Sequence, residues 1–144
     1  MSISFQDAIA DIRYLPTERG YLFDESLRFI RWADGLRERF WWIGEYDYGP
    51  GCVSLHNHPA WSGHRRKGWG LSVGDIGSAA RERFSATAVV NLDHLYVAYP
   101  PWPDPFELQA VAQELFSGSP KSGAMMLHYD VLCRIGVHVE VYPL

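Results

Sequence analysis

A chain of 144 residues, 47% hydrophobic and 21% charged, with 13 Lys and Arg against 17 Asp and Glu, has the length of one ordinary domain and enough apolar content for a core. Its formal charge is −4, and the composition excludes disordered, collagenous and low-complexity classes. No run approaches the ~18–20 apolar residues of a membrane span, and Met1–Arg13 lacks the basic start and apolar stretch of a secretory signal.

In chain order, the first predicted helix is Ser4–Tyr14. Ser4 caps it, Asp7 completes a capping box, Phe5, Ala8, Ile9 and Ile12 share one face, and Pro16 stops it. A second helix is predicted over Glu25–Arg39, with Asp24 as its N-cap and Phe29, Ala33, Leu36 and Phe40 as its apolar stripe. Strands follow at Phe40–Asp47, Gly51–His58, Gly68–Val73, Ser85–Asn91 and Leu95–Tyr99, each rich in β-branched or aromatic residues and bounded by turn formers. Tyr99–Pro105 is stiffened by Pro100, Pro101 and Pro103, which set the crossover and park Trp102 against the fold. The third helix has Asp104 as cap, Pro105 at its first position and Leu108, Val111, Ala112 and Leu115 on one side, and it stops at Gly118. Ala124–Cys133 and Val137–Tyr142 complete the strands. Without regular βαβ alternation the expected class is α+β: a mostly antiparallel sheet with two N-terminal helices and one near the C-terminus, in a single domain over residues 1–144.

Two thiols, Cys52 and Cys133, do not make a disulfide framework at this size; reduced cysteines in the cytoplasm are expected, with a single bridge left open by their spacing. The charge is uneven. Residues 1–55 carry six basic and nine acidic groups, 56–84 five and two, and 85–144 two and six. Such polarity steers charged partners, but an acidic chain is a poor general nucleic-acid binder.

Two stretches carry candidate sites. On a strand Gly51–His58, Val53 and Leu55 point one way while Cys52, Ser54, His56 and His58 point the other. Imidazoles at i and i+2 share a face and can ligate one transition metal, with His64, His94, His138 or Glu140 as further ligands. Cys52 and His56 are roughly 13 Å apart along such a strand, too far for a direct thiol–imidazole pair. The paired histidines after Gly49 and Gly51 resemble the first motif of cupins, but the glutamate of that motif is missing from Pro59–His64 and no cupin assignment is made. Nor does His56-Asn57-His58 stand for a nuclease motif of dispersed His and Asn residues. The second stretch, Trp61–Gly70, presents His64, Arg65, Arg66 and Lys67 between Trp61 and Trp69, a mixture suited to a protein interface or an anion. No glycine-rich phosphate cradle accompanies it.

In size, acidity and tryptophan content the chain resembles single-domain immunity proteins that neutralise bacterial toxins. The resemblance implies a small cytoplasmic inhibitor that occludes a protein partner, a toxin, through Trp61, His64, Arg65, Arg66, Lys67 and Trp69 and needs no cofactor. The alternative expectation is a hydrolase-type enzyme holding zinc or another transition metal on His56, His58 and His64. A third is a structural subunit whose tryptophans bury a homodimer interface.

Overall fold

In the computed structural model the described residues are 2–34, 50–59, 70–116, 132 and 135–144. The elements run α1 (Phe5–Ile12), β1 (Arg19–Phe23), β2 (Phe29–Asp34), β3 (Val53–Asn57), α2 (Val73–Glu82), β4 (Ala86–Val90), β5 (His94–Tyr99), α3 (Pro105–Phe116) and β6 (His138–Pro143). Among the described residues six strands form one sheet in the order β2-β1-β3-β4-β5-β6. Only the β3–β4 pair is parallel; the other four are antiparallel. This is the expected α+β class with a mostly antiparallel sheet.

Helix starts follow their caps. Ser4 Oγ accepts the Asp7 N–H at 3.1 Å at the head of α1, and Asp104 Oδ1 accepts the Phe106 N–H at 2.8 Å at the head of α3. Buried Ala8 and Ile12 face the sheet from α1, while buried Leu108 and half-buried Val111 do so from α3. Trp102 is parked as the proline run implies, its indole N–H donating to Phe84 O at 2.9 Å.

Over residues 25–34, the described part of the second predicted helix, no helix is formed. Residues 29–34 are strand β2, and Asp24, read as a helix cap, closes a turn instead: its Oδ1 accepts the N–H groups of Ser26 and Arg28, both at 2.9 Å. Leu27 at φ 62° completes the reversal. The reason is tertiary. Phe29–Asp34 finds a full antiparallel partner in β1, with Tyr21 opposite Trp32 and Arg19 opposite Asp34, and that pairing outweighs a helical periodicity that Gly35 already weakens.

The remaining helix, α2, stands where strand Gly68–Val73 was expected to end. Ser72 Oγ accepts the Asp75 N–H at 3.2 Å and Asp75 Oδ2 accepts the Ser72 N–H at 2.8 Å, a complete capping box. Parallel strands require a crossover, and α2 supplies it between β3 and β4. The predicted strand Phe40–Asp47 lies outside the described residues, as does Ala124–Cys133 except for Leu132.

Helices therefore lie on both faces of the sheet. Under α1, one core gathers Ile12, Tyr21, Phe23, Val53, Leu55 and Val90 among others. Under α2 and α3, a second gathers Leu71, Ile76, Val89, Leu108, Val137 and Val139. Central strands β3 and β4 are consequently buried along their whole length. Among the described residues no helix is long and apolar enough to cross a membrane.

Candidate metal centre

Strand alternation sends Val53 and Leu55 toward α1, as the sequence implies, and Ser54, His56 and His58 toward α2. This second face is buried, because α2 covers it: His56 is 8% exposed. The two imidazoles therefore point inward, and they converge on the first turn of α2. His56 Nε2 lies 2.9 Å from Asp75 Oδ1, His58 Nε2 lies 3.5 Å from Asp75 Oδ2, and the two Nε2 atoms are 3.1 Å apart. All three donor groups lie within 4.8 Å of one another.

The hydrogen bonds around them fix the tautomers. His58 Nδ1 is 2.8 Å from Gly70 O, and a carbonyl only accepts, so Nδ1 carries a proton and Nε2 is the nitrogen left to face Asp75 and to offer a lone pair to an ion. His56 Nε2 faces the Asp75 carboxylate, which only accepts, so without an ion it carries a proton there. Donating the outer ring nitrogen to a backbone carbonyl is the arrangement by which metal-ligating histidines are oriented. Gly70 is itself constrained, since a Cβ there would lie 3.0 Å from the Tyr96 ring. That close approach seats the carbonyl beneath His58. Asp75 is held from behind by the Ser72 N–H, so its carboxylate caps α2 and faces the imidazoles at once.

Electrostatics follow from the geometry. Burial alone favours neutral His56, but the facing Asp75 carboxylate outweighs it and raises the imidazole above its ordinary value, with help from Glu18. Burial likewise opposes the Asp75 charge, yet His56 and His58 hold its carboxyl well below the usual range. The separations also suit an ion. Metal–ligand bonds of ~2.0–2.1 Å put tetrahedral donors about 3.3 Å apart and adjacent octahedral donors about 3.0 Å apart. Two imidazoles with one carboxylate form a three-ligand set that leaves positions for water or substrate, and nitrogen with oxygen donors suits zinc and its first-row neighbours.

Of the residues singled out in the sequence, His56 and His58 are brought together. Trp61, His64, Arg65, Arg66, Lys67 and Trp69 all lie outside the described residues. His138 and Glu140 are paired with each other at 3.3 Å on β6, two strands beyond β4, and His94 opens β5; none joins the cluster. Cys52 is packed with Leu22, Ala79 and Phe84, and burial, with Asp24, pushes its thiol up, the reverse of an activated nucleophile. Cys133 lies outside the described residues. The residue that sequence reasoning missed is Asp75. Its signal was the Ser72-x-x-Asp75 capping box, which marks a helix start and so places a carboxylate at the head of a crossover from the histidine strand. No family model, curated protein or solved structure matches the chain, and the site stands on its geometry.

Proposed function

We propose that the protein is a metal-dependent enzyme of hydrolase type, with zinc or a related transition metal held by His56, His58 and Asp75. The single observation that carries this reading is the convergence of two Nε2 atoms on one carboxylate, with His58 Nδ1 committed to the Gly70 carbonyl. A metal held by His56, His58 and Asp75 would keep positions open for water or substrate and would supply water activation and carbonyl polarisation, the chemistry of a hydrolase.

Metal analysis of protein purified without a histidine tag tests it. About one equivalent of transition metal is expected, lost in a His56→Ala/His58→Ala double variant that still folds. Adding zinc at about a hundred times its dissociation constant is expected to stabilise the metal-free protein by about 2.7 kcal/mol. Absence of bound metal together with unchanged melting in zinc removes the reading.

A second reading, an immunity-type protein that occludes a protein partner, is favoured by exposed aromatic side chains: Phe106 is 82% and Tyr14 69% exposed. Aromatic residues concentrate binding energy in interfaces. On this reading a toxin co-purifies from the native host, and reversing Arg65, Arg66 and Lys67 to Glu weakens the reconstituted pair with a smaller salt dependence. Binding indifferent to both salt and reversal counts against it.

A further inference from the structure

A second carboxylate stands on the same face of the sheet. Gly20 pairs with His56 across β1 and β3, and opposed residues of an antiparallel pair point to the same side. Glu18, two residues before Gly20, therefore follows it toward α2. Two contacts fix this direction. Arg19 reaches Asp11 on α1 at 3.4 Å, so its neighbours are turned to the opposite face. Asn57, 1% exposed, brackets residue 18: its Nδ2 donates to Thr17 O at 3.0 Å and its Oδ1 accepts the Arg19 N–H at 2.7 Å. Glu18 is itself 7% exposed, and its charge is felt by His56.

Glu18 is nevertheless not one of the three groups whose donor atoms lie mutually within 4.8 Å. A carboxylate that bonds a metal-held water stands farther from the ion than a ligand does, by about one hydrogen bond of ~2.7 Å. We infer that Glu18 is the outer carboxylate of this centre: it accepts a hydrogen bond from the water on the metal and by its charge keeps anions from the open position. The inference rests on His56, His58 and Asp75 being a metal centre, and it assigns the site a neutral substrate, an ester or amide, in place of an anionic one. A buried negative charge beside the open position disfavours a second one there, and the low dielectric strengthens the effect.

Cobalt(II) and azide make the test independent of activity. Wild type and Glu18→Gln are each loaded with cobalt, whose visible bands report the ligands, and then titrated with azide. Glu18→Gln is expected to bind cobalt within about threefold of wild type, with unchanged bands, and azide at least about tenfold more tightly. Glu18→Asp, which keeps the charge, is expected to bind azide within about threefold of wild type. Glu18→Met repeats the neutral arm, so that misfolding of one variant does not decide the outcome. Azide affinity unchanged in a folded neutral variant overturns the inference. Cobalt affinity reduced more than about tenfold with shifted bands overturns it too, by making Glu18 a ligand. If wild type takes up no cobalt, the metal reading fails and this inference with it; cobalt uptake with indifferent azide binding sinks only the inference.

Discussion

Asp75→Ala is expected to abolish metal binding and to destabilise the metal-free protein by about 3–5 kcal/mol, the range for removing one partner of a buried ion pair. The carboxylate serves both His56 and the Ser72 N–H, so its loss strips the imidazole of its counter-charge and opens the first turn of α2. Asp75→Asn keeps the shape and one acceptor, and is expected to lose metal while giving up less stability. Urea denaturation of metal-free protein measures both. The cost depends on pH in a definite direction. Folding raises the His56 pKa, so its contribution is complete below the unfolded value of ~6.5 and is lost as pH rises through the folded value. Folding lowers the Asp75 pKa, so its contribution is complete above the unfolded value of ~3.9 and is lost as pH falls through the folded value. The two overlap fully between about pH 4 and 6.5. Asp75→Ala is therefore most costly there, and its cost falls as pH rises through the folded His56 value. A cost that stays the same from pH 5.5 upward means that His56 does not titrate against Asp75 over that range. Metal competes with the same proton, so zinc affinity is expected to rise with pH over this range.

Half of this centre is written locally and half is not. The shared face of His56 and His58 follows from strand alternation alone, because a two-residue period is a property of the backbone. Caps were equally legible: Ser4 and Asp104 begin helices as hydrogen-bonding logic requires. Asp24 shows the limit of that logic. The same short carboxylate that caps a helix also closes a turn, and the competition was decided by the pairing of β2 with β1, which no local pattern encodes. Leu71 and Val73 disguised the entry to α2 as a strand, hiding the element that buries the histidine face. Asp75 comes seventeen positions after His58, and their meeting depends on α2 crossing over between the parallel strands β3 and β4. Glu18 is farther still from local reasoning, because the backbone on either side of it is held by Asn57 on a neighbouring strand.

Phe23→Ala is expected to cost about 3–5 kcal/mol, the usual range for emptying a buried phenylalanine site, while leaving the metal affinity of the folded fraction unchanged. Phe23 is 0% exposed and sits among aromatic neighbours, its ring centroid 5.3 Å from Phe5, 6.3 Å from Tyr21 and 6.3 Å from Phe29. Few of these rings can collapse into the space, because Phe5 belongs to α1 and the other two to paired strands. All of this lies on the α1 face of the sheet, whereas His56, His58 and Asp75 lie on the α2 face. Denaturation midpoints and zinc titration below the transition separate the two effects. Set beside Asp75→Ala, the variant asks whether the sheet is a rigid partition between a stabilising face and a chemical one. Intact zinc affinity in destabilised Phe23→Ala means that it is. A parallel fall in affinity means that β1 transmits core strain through its register with β3, where Phe23 opposes Val53 and Gly20 opposes His56.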